Sequence, residues 1–127
     1  MDRFLWVCFG GAIGSGARYL VAIWAAAAMG TSFPFGTLFV NVAGSFLLAF
    51  LMHAGTTTEL LPADVRLLLT TGVMGGFTTY STFNYETTGY FREGVWAVGV
   101  VNIAATLAGC LAAGIAGLAL GRAMFGR

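Results

Sequence analysis

Charge is scarce in this chain, and lysine is missing altogether. Only 9% of its 127 residues are charged, and all six basic residues are arginine. Soluble domains carry about 25% charged residues. With 58% hydrophobic residues, a soluble fold would need a core too large for a chain of this size. Composition therefore places it among membrane proteins. The net charge of +1 gives no electrostatic footprint for nucleic acid. The two cysteines, Cys8 and Cys110, both fall inside apolar stretches and form no CxxC or Cys/His spacing, so they read as small buried residues rather than metal ligands. His53 is the single histidine. It lies where an apolar stretch ends and has no nucleophile motif beside it, so no catalytic set is expected and the chain does not read as an enzyme. No internal repeat, soluble domain, long linker or low-complexity tail is evident. The first apolar stretch is too long for a signal peptide and carries Arg18.

What is present is apolar sequence in four blocks, at about residues 4–28, 36–52, 65–88 and 95–120. Each approaches the roughly 20 residues that span a bilayer core. The expected architecture is a single all-α integral membrane domain over residues 1–127, multi-pass and surrounded by lipid. Arg3, Arg66, Arg122 and Arg127 flank the blocks on the N-terminal side, against Arg92 on the other, which favours cytoplasmic termini. Gly10 with Gly14, Gly72 with Gly76 and Gly117 with Gly121 have the spacing that lets membrane helices approach closely. Four helices cannot easily enclose a wide aqueous lumen, so a second copy of the chain is expected if there is a transport path.

The third block holds the densest information. From Thr71 to Phe83 it contains three glycines and then five consecutive hydroxyl residues, Thr78 to Thr82. Polar, irregular backbone at membrane depth is tolerated only inside protein or along a wet cavity. The Gly75–Gly76 pair reads as a helix break. It admits two readings, a simple kink or freed carbonyls that hold a hard cation. Tyr80 and Phe83 share a helical face, either for packing or with positive ring edges turned to an anion. Arg18 either snorkels to the headgroups or makes an electropositive vestibule. Asn41 and Ser45 share a face of the second helix, and the Asn41 amide serves either an interhelical bond or a polar pathway. Asn102, Thr106 and Cys110 make a thin polar stripe on the fourth. Glu86 either pairs with a neighbour or couples protons or cations.

Taken together, Gly10–Tyr19 (GGAIGSGARY), Gly36–Gly44 (GTLFVNVAG) and Gly72–Phe83 (GVMGGFTTYSTF) resemble the Fluc (CrcB) family of fluoride channels over essentially the whole chain. The resemblance implies an antiparallel, dual-topology homodimer in the bacterial inner membrane, with a break in the third helix and two fluoride pores. It implies a structural Na+ held at the dimer centre by the backbone carbonyls of Gly75 and Thr78, and not transported. It implies pore contacts from Asn41, Tyr80, Ser81, Thr82 and Phe83, more loosely Asn102 and Thr106, with Arg18 in a vestibule. The chain departs from the family where Tyr80 replaces a phenylalanine and in its arginine bias. The implied function is passive fluoride efflux, which lowers cytoplasmic fluoride and its toxicity. Fluoride is small and strongly hydrated, so a pore must replace its water with donors, and amides, hydroxyls and ring edges supply them. A small multidrug exporter would instead need a carboxylate in the first helix, which holds Arg18 and no acid. A non-transporting assembly subunit would give no flux alone.

Overall fold

The computed structural model describes residues 2–126, and these are helical with no strand among them. In order they form α1 (Asp2–Met29), α2 (Phe35–Thr57), α3 (Ala63–Leu67), a π-helical stretch (Leu68–Met74), α4 (Gly75–Phe77), α5 (Tyr80–Arg92) and α6 (Trp96–Phe125). Three of them, α1, α2 and α6, are long and apolar enough to cross a membrane. The third apolar block is instead assembled from α3 through α5. Gly30 (φ 79°) and Gly94 (φ 78°) stop α1 and α5 in the left-handed conformation that glycine adopts without strain. Helix α2 runs past its apolar block to Thr57. The hydroxyls of Thr56, Thr57 and Thr58 donate to the carbonyls of Met52, His53 and Ala54 at 2.8, 2.7 and 2.6 Å, satisfying the helix end.

The chain is turned inside out relative to a soluble protein. Large side chains such as Phe4, Trp24, Val100, Leu111 and Ile115 are exposed, as befits a surface facing lipid. Asn41, Thr70, Thr79, Thr87, Asn102 and Thr106 are buried. With apolar groups equally at home in lipid, close packing and internal hydrogen bonds must hold the helices together.

All three glycine pairs are used within the chain. A side chain on Gly14 would collide with the Val73 carbonyl and the Phe77 amide, and one on Gly10 would sit 2.6 Å from the Leu68 carbonyl. These contacts bring α1 backbone-to-backbone against the π-helical stretch and α4. A side chain at Gly117 would collide with the Phe46 carbonyl, and one at Gly121 would lie 2.9 Å from the His53 ring, so α6 seats along α2 in the same way.

The break falls at Thr78–Thr79, just beyond the glycine pair expected to make it. Gly75 and Gly76 remain helical, whereas Thr78 (φ −85°, ψ 156°) and Thr79 (φ −155°, ψ 113°) are extended. Gly76 serves clearance instead, since a side chain there would lie 2.5 Å from the Gly11 carbonyl of α1.

Two arginines behind the expected charge bias are engaged. Arg66 Nη1 donates to the Gly55 carbonyl at 2.6 Å, at the negative end of α2, and Arg3 pairs with Asp64 at 3.3 Å. Arg127 lies outside the described residues.

Replacement of Gly14 by alanine is expected to cost about 1–3 kcal/mol, because the added methyl meets rigid backbone. Gly11, beside it, has nothing within 4 Å of an added methyl, so Gly11→Ala is expected to leave stability unchanged. Thermal unfolding of the two variants in detergent separates them; equal midpoints would contradict the packing described.

Candidate functional site

The break exposes backbone groups where lipid offers them no partner, and three side chains take them up. Asn41, on α2, forms a two-point clasp with Thr79. The Thr79 amide donates to Asn41 Oδ1 at 2.8 Å, and Asn41 Nδ2 donates to the Thr79 carbonyl at 3.1 Å. Arg18, on α1, donates from Nε to the Gly76 carbonyl at 3.0 Å. Thr79 caps the start of α5, its hydroxyl accepting from the Thr82 amide at 3.2 Å. That hydroxyl also donates to Thr82 Oγ1 at 3.0 Å and lies 3.2 Å from Ser81 Oγ, so three hydroxyls cluster at the positive end of α5.

Two clefts flank this point. One, of about 310 Å³, lies between α2, the break, α5 and α6, and includes Asn41, Ser45, Thr78, Tyr80, Phe83 and Thr106. The other, of about 300 Å³, lies between α1, α2 and α5 and includes Ser15, Arg18, Thr37, Thr79, Thr82 and Glu86. An adjoining hollow of about 230 Å³ shares Thr37 and Glu86 and reaches the Gly30–Phe35 joint. On the far side, Cys110 and Leu111 connect the first cleft to an apolar hollow beside His53. The Asn41–Thr79 clasp therefore stands between two hollows that lead to opposite ends of the helices.

The residues singled out from sequence divide accordingly. Asn41, Tyr80, Phe83 and Thr106 meet in the first cleft, with Thr78 at its edge. The Tyr80 and Phe83 rings are 5.6 Å apart and tilted by 56°, yet Phe83 is buried while Tyr80 is 76% exposed. Arg18 and Thr82 line the second cleft. Ser81 is exposed beside the threonine hydroxyls and Asn102 is buried; neither lines these clefts. Asn102 instead donates to Thr87 Oγ1 at 2.9 Å, tying α6 to α5. Thr106 has no hydrogen-bond partner for its buried hydroxyl, unlike most helical threonines, which bond their own backbone. Ser45 does so, donating to the Asn41 carbonyl at 2.7 Å. Glu86 meets a polar neighbour and not an arginine: Thr37 Oγ1 donates to its Oε1 at 2.7 Å, and its Oε2 is buried without a partner.

Sequence reasoning missed the parts played by Thr37 and Thr79. Thr37 is one helical turn before Asn41, so Thr37, Asn41 and Ser45 already formed an i, i+4, i+8 series. Thr79 carried the signature of an N-cap, a threonine ahead of a helical run, but it was hidden among its hydroxyl neighbours.

The carbonyls expected to hold a cation are those whose ordinary helical donors are absent. In a continuous helix the Thr79 amide would close onto the Gly75 carbonyl and the Thr82 amide onto that of Thr78. Both amides are engaged elsewhere. Gly75 is exposed, with open space where a side chain would be. The Thr78 hydroxyl is turned to its own helix, donating to the Met74 carbonyl 3.0 Å away, and the backbone oxygen of Thr78 has lost the Thr82 amide. These donors fit a hard cation.

Residues 5–118 match the family described as CrcB-like protein, Camphor Resistance (CrcB). The chain is 55% identical over 126 residues to a protein of Anaeromyxobacter dehalogenans named fluoride-specific ion channel FluC, covering 99% of this chain and all of that one. Proteins of the same name from Sorangium cellulosum and Agrobacterium fabrum are 51% and 44% identical, over 96% and 94% of this chain and 96% and 95% of theirs.

Removing the Asn102 amide as Asn102→Leu is expected to destabilise the chain by about 0.6–1.7 kcal/mol, the range for interhelical hydrogen bonds in membranes. Thr106→Val is expected to leave stability unchanged or raise it, because it removes a buried hydroxyl that has no partner. Denaturant titration in mixed micelles measures both, and a Thr106→Val loss as large as that of Asn102→Leu would show that the hydroxyl is bonded.

Proposed function

The chain belongs to the CrcB family, and on that premise we propose that it is a fluoride-specific channel that passes the ion down its electrochemical gradient. The family is one of ion channels and not of enzymes. The observation that carries the reading is the near-complete likeness to proteins named fluoride-specific ion channel FluC, which runs through the Asn41, Gly75–Thr79 and Phe83 region. The cleft arrangement supports it. The two clefts flank the Asn41–Thr79 clasp; the one holding Phe83 contains no carboxylate, whereas Glu86 lines the one holding Arg18, its Oε1 held by the Thr37 hydroxyl.

Arg18 draws anions into the α1–α5 cleft, where its Nε is anchored on the Gly76 carbonyl and its charge remains. Fluoride exchanges water for the Thr82 hydroxyl in that cleft, with Ser81 beside the same threonine cluster, and past the clasp for the Asn41 amide, the Thr106 hydroxyl and the ring edges of Tyr80 and Phe83. Weak, successive contacts let it leave as readily as it enters. With a negative cell interior, passive flow in the bacterial inner membrane is outward and limits fluoride toxicity.

The working unit of this proposal is an antiparallel homodimer. The exposed ring of Tyr80 at mid-segment and the half-open cleft beside it are completed by a second copy. At the dimer centre Gly75 and Thr78 of each copy hold a structural sodium by their carbonyls. The ion supplies positive potential near the anion path and joins the subunits. Asn102, bonded to Thr87, supports α5 rather than contacting the anion.

The test is efflux from liposomes containing the purified protein. Fast fluoride release without chloride leak is expected, and absence of fluoride release from a folded dimer would overturn the assignment. Phe83→Ile is expected to slow release by tenfold or more, about 1.4 kcal/mol in barrier, with the dimer intact. Tyr80→Phe is expected to keep conducting, since the ring edge is retained; complete loss would assign the work to the hydroxyl.

A further inference from the structure

We propose that Asn41 and Thr79 are the positioning residues that create the central cation site, although neither contributes a ligand to it. The inference rests on the reading of Gly75 and Thr78 as sodium ligands and explains why those two carbonyls are available.

A helix in a membrane quenches its own carbonyls, each accepting from the amide four residues on. A carbonyl at membrane depth becomes a cation ligand only if that amide is removed from it. Here two side-chain oxygens do so. Asn41 Oδ1 takes the Thr79 amide at 2.8 Å, which would otherwise serve Gly75. Thr79 Oγ1 takes the Thr82 amide at 3.2 Å, which would otherwise serve Thr78. The carbonyl of Gly76 is treated in the opposite way, since Arg18 Nε occupies it at 3.0 Å. Of three carbonyls that the break releases, Gly76 is thus consumed, while Gly75 and Thr78 are left open.

Asn41 suits this task because both ends of its amide are engaged. Its Nδ2 holds the Thr79 carbonyl at 3.1 Å, so the side chain cannot turn and Thr79 cannot return to a helical ψ. Gly44 lets α2 come near enough, because any side chain there would collide with the Thr78 methyl. The residue also lines the cleft that holds Phe83. One amide therefore couples the anion path to the cation site.

The experiment compares thermal midpoints of the purified full-length protein in sodium chloride and in N-methylglucamine chloride, without fluoride. Sodium is expected to raise the wild-type midpoint, and Thr79→Ser, which keeps the hydroxyl, is expected to preserve the rise. Asn41→Ala and Thr79→Val are expected to lose it or to need about 10–100-fold more sodium, the usual effect of removing a group that orients a metal ligand. Midpoints lowered equally in both salts, with the sodium response intact, would reduce both residues to packing and overturn the inference. Should Asn41→Ala not fold, the Thr79→Ser and Thr79→Val pair decides the matter alone.

A wild-type midpoint indifferent to sodium would overturn the sodium reading itself. The carbonyl sorting is then tested by solid-state NMR of protein labelled with [13C]glycine and [15N]glycine, which selects the Gly10–Gly11 and Gly75–Gly76 peptide bonds. The Gly75 carbonyl resonance is expected to shift in Asn41→Ala as the Thr79 amide closes onto it. An unmoved resonance would overturn the proposal whatever the ion.

Discussion

Two hydrogen bonds between the Asn41 side chain and the backbone of Thr79 hold open a helix that would otherwise close. Extended backbone in a bilayer survives only where it is buried in protein or lines a wet cavity. At this break the partners come from three elements: Asn41 on α2, Arg18 on α1, and the Thr79 hydroxyl at the start of α5. The clefts lie on either side of that meeting point.

The rest of the fold brings those elements into reach. Hydrogen bonds of about 3 Å from α2 to the backbone at the break need close approach, and glycine permits it. Gly10, Gly14 and Gly76 remove the bulk between α1 and the broken segment, and Gly44 does so between α2 and Thr78. Because lipid does not drive apolar side chains inward, the interior is free to be polar. Asn102 with Thr87 and Glu86 with Thr37 show how far that freedom is used. Two oxygens, on Thr106 and Glu86, are buried without partners, and each borders a cleft.

Several features were legible in residue order because they depend on local chemistry. The helical crossings follow from apolar length, and the polar irregular stretch follows from glycines and hydroxyls where lipid tolerates neither. The pairing of Tyr80 with Phe83 follows from helical spacing. The break was misplaced by a few residues, because glycine signals both flexibility and clearance, and Gly76 serves the second. Asn102 and Thr106 looked like one stripe, one turn apart on α6. Their neighbours differ: Thr87 bonds the first, and nothing bonds the second.

Composition and residue order alone determined a helical membrane chain with one interrupted segment and determined which residue types lie there, because helix periodicity and lipid polarity act over a few residues. The choice of which freed carbonyl is quenched and which stays open was made only in the tertiary structure. It depends on Asn41 and Arg18, distant in sequence from the break, and on contacts close enough for a side chain to outcompete a helix for its own amide.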